Sequence, residues 1–255
     1  ATYYYHSESR PTDLRLELKV KEVFECNHGR YGTRRIRKVL QSYGLTVSRR
    51  RIGHIMHQYG LASRYSRRRT ALPKLPVNHT SLPNLIKRKF NDRLPLEALV
   101  CDLTYIWLRD KWAYICPIID LWNREIVSFA VGTAKSADLV QRAISHIPYN
   151  LSRVSIFHTD RGGEFVNRAI DRTLETNHIR RSLSKGGTPL DNAVIESTNH
   201  IIKTECLNDY KFQSLDELNL IFGDYVHWYN HVRLHSHLGY KTPMQLRHSE
   251  DIKET

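Results

Sequence analysis

A chain of 255 residues with 40% hydrophobic content can build one large domain or two smaller ones around real cores. It holds no run near the roughly 18 apolar residues of a membrane span, and its opening, ATYYYHSESR, has no apolar signal core, so a cytoplasmic chain with no membrane partner is expected. The net charge of +13 is lopsided: residues 1–75 carry 17 Lys and Arg against 5 Asp and Glu, and residues 76–255 carry 22 against 21.

From Cys26 to Leu75 there are 13 basic residues and no acidic one, which in a folding segment points to phosphate contact, with a solvated basic arm as the plain alternative. The run TDLRLELKVKEVFE predicts a helix capped by Thr12 with Leu14, Leu18 and Val20 at near-helical spacing. TRRIRKVLQSYG predicts a second helix with Ile36, Val39 and Leu40 inward. SRRRIGHIMHQYG predicts a third, capped by Ser48 and burying Ile52, Ile55 and Met56. Three such helices are a helix-turn-helix candidate, with Arg49, Arg50 and Arg51 on the first turn of the recognition helix. A small helical bundle whose arginines only touch phosphates fits the same spacing.

Residues 64–94 contain RYSRRRT and then Pro73, Pro76 and Pro83 with few periodic apolar positions, and they read as a basic linker. Beyond it LEALVCDLTYIWL, WAYICPIID and EIVSFAVG predict an antiparallel meander with RDK as its first turn. SADLVQRAISHI reads as helix, VSIFHTD as strand, EFVNRAIDRTLETN as helix and IRRSLS as strand, a mixed α/β order. Two helices follow, from about Leu190 to Leu207 and from Leu215 to about Arg233, the latter opened by a Ser214-x-x-Glu217 capping box. Cysteines 26, 101, 116 and 206 lack metal-site spacing and are expected reduced and buried.

Two carboxylates fall where strands have no use for them. Asp102 alternates onto the face of Val100, Thr104 and Ile106, where an ionised group needs a cation or several donors. Asp160 ends VSIFHTD at the carboxyl edge of a strand, where α/β sheets open into ligand crevices, and Gly162 and Gly163 let the chain turn away. A third, Glu196, shares one helical face with His200 and Lys203, opposite a stripe of Val194, Ile195, Ile201 and Ile202. Taken alone, that helix is merely amphipathic.

Asp102, Asp160 and Glu196 stand with 57 and then 35 residues between them, and in CDLTYI, HTDRGGEF and SLSKGGTPLDNAVIES, with Lys203 seven residues on, the chain resembles the DDE transposases and retroviral integrases. Within them it is similar to the insertion-sequence-three group of bacterial elements, whose transposase spans two reading frames. YNHVRLHSHLGYKTP matches that group's C-terminal signature, and YGTRRIRKVL and TYYY its second-frame N-terminal part. The tryptophan common before the first Asp is absent from ALVCD, and the polar residue usual after the second is here Glu164, read as a solvated helix-start carboxylate in preference to a surplus ligand.

The resemblance implies a ribonuclease-H-like mixed five-stranded sheet flanked by helices and preceded by a small all-α helix-turn-helix domain. The expected division is a helical DNA-binding domain at 1–63, the linker at 64–94, the integrase core with C-terminal helices at 95–250 and a tail at 251–255. It implies 3′-end cleavage and strand transfer at a site of two Mg²⁺ ions, Mn²⁺ substituting, held by Asp102, Asp160 and Glu196, an oxygen set suited to hard cations. Expected DNA contacts are Arg34, Arg35, Arg37, Lys38, Arg49, Arg50, Arg51, Arg67, Arg68 and Arg69 in the basic segment, then Lys185, Asn199, His200, Lys203 and Arg233. Tyr229, Asn230 and His235 of the signature are either anchors of the last helix or further DNA contacts, and His231, His235 and His237 lack a second ligand pair for zinc. Expected partners are the element's terminal repeats and target DNA, further copies of the chain on that DNA, and a first-frame product or fusion partner, all at the nucleoid. Two alternatives stay open: a nuclease of the same fold that cuts without joining, and a regulator that binds DNA through residues 1–75 without catalysis.

Overall fold

A computed structural model describes residues 13–64, 83–185 and 189–251. The chain forms two compact units, Ala1–Thr70 and Ala71–Thr255.

The first unit contains three helices, α1 (Leu14–Cys26), α2 (Thr33–Ser42) and α3 (Arg49–Gln58). Asp13 caps α1, its side chain accepting from Leu16 N–H at 3.3 Å; Thr12, the expected cap, lies outside the described residues. Leu14 and Leu18 are 61% and 56% exposed, against the sequence reading. The buried stripe is instead Leu16, Val20 and Val23, spaced i, i+4, i+7, which is a tighter helical match. Ser48 caps α3 as expected, accepting from Arg51 N–H at 3.2 Å, and Ile36, Leu40, Ile52, Ile55 and Met56 complete the core. α2 and α3 end alike, in Tyr-Gly-Leu: Gly44 and Gly60 adopt φ of +77° and +63°, and Leu45 and Leu61 donate back to the Leu40 and Met56 carbonyls at 2.9 and 2.7 Å.

The second unit is built on β1 (Ala98–Cys101), β2 (Thr104–Leu108), β3 (Lys111–Asp120), β4 (Ile126–Gly132), β5 (Ile156–Thr159) and β6 (Arg180–Leu183). The order is β2-β3-β1-β5-β6 with β4 on the other edge of β3. The sheet is mixed: β1, β2 and β4 run antiparallel to β3, while β5 is parallel to both β1 and β6. Its six strands arise from the five expected runs because the first is interrupted at Asp102 and Leu103, leaving β1 and β2 on the same edge of β3.

Helices α4 (Ala137–Ser145) and α5 (Arg168–Thr176) close one core, in which Leu139, Val140, Ala143, Ile170 and Leu174 meet Leu99, Cys101, Cys116, Ile118 and Phe157 of the sheet. Cys101, Cys116 and Cys206 are buried and in no disulfide, whereas Cys26 is exposed. Residues 83–94, read as the end of the linker, are fastened to the β6 edge. Pro83 O accepts from Leu183 N–H at 3.2 Å, Ser182 Oγ accepts from Leu85 N–H at 2.8 Å, and Ile86 is fully buried.

After a 3-10 turn at Pro189–Asn192 come α6 (Ala193–Glu205), α7 (Leu215–His231) and α8 (Pro243–Asp251). The inward stripe of α6 is Ile195, Thr198, Asn199, Ile202 and Glu205; Val194 and Ile201 are only half-buried, so its core side is partly polar. α7 starts at Ser214 as expected and packs on β4 through Phe222, whose ring meets Phe129 edge-on at 4.8 Å. Asn230 then acts as a strand substitute at the β4 edge, its Oδ1 accepting from Ile126 N–H and its Nδ2 donating to Ile126 O at 3.0 and 2.9 Å.

Arg233 is 2% exposed and gives Glu205 a two-pronged ion pair at 2.7 and 3.0 Å, with His235 buried beside it. Tyr229, Asn230, Arg233 and His235 are therefore anchors of the C-terminal helices, which corrects Arg233 as a DNA contact: its charge is already consumed inside. α8 is held by Arg247, which reaches Asp120 at 2.8 Å and Glu125 at 2.5 Å. Among the described residues no helix is long and apolar enough to cross a membrane.

Candidate active site

β1 and β5 are neighbours and parallel, with Leu99 opposite Phe157 and Val100 opposite His158. Two residues further along the same register, Asp102 and Asp160 leave the two strands side by side at their carboxyl ends. Each carboxylate is held by the backbone that turns away from it: Asp102 Oδ1 accepts from Leu103 N–H and Asp160 Oδ1 from Gly162 N–H, both at 2.8 Å. The α6 helix reaches the pair through Asn199, whose amide donates to Asp102 Oδ2 at 2.9 Å.

Burial drives the Asp102 carboxyl upward, the negative charge of Asp160 adds to it, and together they outweigh the Leu103 and Asn199 donors and bring it to about 7. Asp160 is also raised, by burial and then by the charge of Glu164, while Gly162 N–H and Lys135 pull the other way. Glu196 is exposed, one helical turn before Asn199, and its charge is the smallest of the influences on Asp102. Among the described residues no three His, Cys, Asp or Glu side chains are gathered to hold a metal ion. The donor set itself suits one: two carboxylates crowded in like charge, whose few protein donors, two on Asp102 and one on Asp160, leave Asp102 raised to about 7, favour a hard cation beside them.

Glu164 corrects the sequence reading. It lies before α5, 7% exposed, and its carboxylate meets Lys135 Nζ at 2.9 Å. A Cβ on Gly162 would collide with that carboxylate, so Glu164 can fold back over the first glycine of HTDRGGEF only where no side chain stands in its way. Asn199 is expected from the sequence as a DNA contact and not as a partner of Asp102, and Lys135 carries no signal for this site, since both reach it from segments distant in sequence from the carboxylates they meet.

Lys203 lies farther along α6 with Nζ 4.1 Å from the centre of the Tyr105 ring; burial lowers its pKa while Asp102 pulls it back up. His200 is half-buried, near Thr204 at 3.4 Å. Asn199, expected to face DNA, is 8% exposed and spends its amide on Asp102 instead. Lys185 is exposed, its backbone N–H bonded to Asp191 Oδ2 at 3.2 Å. In the first unit Arg34, Lys38, Arg49 and Arg50 are exposed, Arg35 lies over the Tyr31 ring, Arg37 is half-buried and Arg51 approaches Asp13 at 3.8 Å. Arg67, Arg68 and Arg69 lie outside the described residues.

Comparison with known proteins covers both units. Two family profiles, each described as an integrase core domain, match residues 92–189 and 177–243, and an HTH-like domain profile matches residues 11–69. The chain is 32% identical over 235 residues to the transposase for insertion sequence element IS904 of Lactococcus lactis, covering 89% of this chain and 91% of that one. It is 31% identical over 256 residues to the probable transposase for element IS1353 of Shigella flexneri, matching 98% of this chain but only half the length of that relative. In fold it is similar to a chain of the simian T-cell lymphotropic virus intasome, solved with PP2A regulatory subunit B56 gamma, at a TM-score of 0.53 and 18% identity over 90% of this chain and 74% of that one.

Proposed function

The chain belongs to the integrase-core transposases of bacterial insertion sequences, and on that premise we propose that it cuts the ends of such an element at their 3′ sides and joins them to target DNA, with Asp102, Asp160 and Glu196 as the catalytic carboxylates. The observation that carries this reading is the pair of adjacent parallel strands, each ending in a carboxylate, with Asp102 raised to about 7 by burial and by its neighbour's charge.

Asp102, Asp160 and Glu196 would hold two Mg²⁺ ions, or Mn²⁺ in their place; bound there, such ions would supply a nucleophile at neutral pH and stabilise the leaving oxygen. The chain's own groups do the positioning. Leu103 N–H and Gly162 N–H fix the two aspartates, Asn199 ties α6 to Asp102, and Glu196 rides on the same helix. Lys203 lies two turns beyond Glu196 and would hold the element end beside the carboxylates. Water attacks the phosphorus at the element end and displaces the element's 3′ oxygen, which takes up a proton as a 3′-OH while the flanking strand keeps the 5′-phosphate; that hydroxyl then attacks a target phosphodiester, giving up its proton, and displaces the target's 3′ oxygen, which takes one up. No covalent protein–DNA bond is needed.

The helical unit, read as a DNA-binding domain at 1–63, would supply end contacts through Arg34, Lys38, Arg49 and Arg50, with the core at 95–250 doing the chemistry. Further copies of the chain on the DNA, and a first-frame product or fusion partner, belong to the same reading, as does a place at the nucleoid. The test is incubation with a library of candidate terminal repeats and Mg²⁺, followed by mapping of ends. Cut ends joined to target DNA are expected. Nicks without joined products would leave a nuclease, and binding without metal-dependent nicking a regulator.

A further inference from the structure

Beyond the carboxylates β2 pairs only with β3 among the described strands, and past Tyr114, where β4 ends its pairing with β3, the two continue as a two-stranded ribbon. In its register Tyr105 faces Tyr114 and Trp107 faces Trp112, and opposed residues share a face. On the alternate face Thr104, Leu108, Ala113 and Ile115 are at most 2% exposed, with Ile106 half-buried and Lys111 exposed at the turn end. The face with Tyr105, Trp107 and Trp112 is not, for the two indoles are 52% and 46% exposed. The rings form a chain, Tyr105 to Trp112 at 5.3 Å and Trp112 to Trp107 at 4.9 Å, each edge to face.

Cations stand at both ends of this strip. Lys203 Nζ lies 4.1 Å from the Tyr105 ring centre at the end nearest Asp102, and Arg109 is exposed beside Asp110 in the two-residue turn at the far end, while Lys111 stands opposite Leu108 on the other face. Flat rings between cations, running outward from a carboxylate pair, match a phosphodiester strand whose bases are unpaired and can stack, a mode that every base satisfies. Phosphates of such a strand would lie within reach of Lys203 and Arg109 while its bases lie on the rings.

We propose that the β2–β3 hairpin is a stacking platform for unpaired bases of the DNA strand that leaves Asp102 and Asp160, with Trp107 and Trp112 as the stacking side chains. It rests on the reading of that pair as the cutting site, and it adds a preference for an opened strand over a closed duplex.

The test uses the full chain without divalent metal, a labelled oligothymidine strand of about 20 nucleotides, and a blunt duplex of the same length. Trp107→Ala and Trp112→Ala should each weaken single-strand binding about 5- to 100-fold with duplex binding and salt slope unchanged, since no cation is lost. Trp107→Phe, which keeps a ring, should recover most of the affinity, and indole fluorescence of the wild type should quench on adding the strand. Unchanged strand affinity in both alanine variants overturns the platform. So does unchanged strand affinity accompanied by loss of self-association in sedimentation, which would assign the face to a second copy. Metal-dependent cutting is measured on the same preparations: a protein that cuts but ignores the alanine variants loses the platform alone, and one that stacks but never cuts keeps the platform and loses the proposed activity.

Discussion

At Asp102 the fold and the chemistry pull in opposite directions, because a carboxylate at the end of a buried strand is most comfortable protonated and most useful charged. Its folded pKa of about 7 lies above its ordinary value, so the folded protein binds the extra proton. Stability from this group is fully present below the ordinary carboxylate range and declines as pH rises through about 7, a deficit on the order of 4 kcal/mol at pH 8 by linkage. In EDTA the melting temperature should therefore fall between pH 6 and pH 8, and Asp102→Asn should flatten that fall and exceed the wild type at pH 8. Mg²⁺ should raise the wild type at pH 8 and leave the variant where it was. Parallel pH profiles for the two proteins would remove Asp102 as the strained group. Asp102 and Asp160 are legible in the sequence because apolar strands give a terminal carboxylate no packing reason to exist. Asn199, Lys135 and the buried state of Glu164 are not: they depend on a helix and a loop arriving from 97 and 29 residues away in sequence, and nothing local marks such a meeting.

The elements themselves follow from apolar patterning where burial is apolar, and depart from it where the core is polar. β4 and β5 read as strands because IVSFAVG and IFHT sit in continuously buried sheet. On α6 the pattern misleads: Val194 and Ile201 look like core, yet Thr198, Asn199 and Glu205 occupy those inward places because Asp102 and Arg233 need partners there. The C-terminal signature has the same logic. Glu205 and Arg233 are 0% and 2% exposed and each satisfies the other. Arg233→Ala should thus strand a buried carboxylate and cost about 3–5 kcal/mol in urea unfolding, whereas a contact to phosphate would cost affinity and little stability. Replacing Glu205 and Arg233 together with Leu and Met should recover much of the loss. A stable Arg233→Ala protein with weakened DNA binding would return the residue to the DNA surface.

At the scale of the molecule, charge divides the labour more sharply than composition does. Residues 1–75 hold a net +12 and the rest of the chain +1, so the unit with the carboxylate pair has almost no long-range attraction for a polyanion. On the proposed reading affinity then comes mainly from the basic N-terminal part, where Arg49 and Arg50 lie on the first turn of α3 and Arg34 on the first turn of α2, all exposed. Binding of this kind releases counterions, and log affinity falls against log salt by about 0.9 for each phosphate neutralised. Arg49→Ala with Arg50→Ala should lower that slope by about 2 for duplex DNA of any sequence, and adding Arg34→Ala should lower it by about 1 more. If one of these arginines reads a base edge instead, its variant should lose discrimination between sequences by more than it loses slope. Titrations across a salt series on two unrelated duplexes separate these outcomes, and a slope unmoved by all three substitutions would shift the electrostatic footing to Lys185, Lys203 and the hairpin cations of the core, leaving the helical unit a packing module.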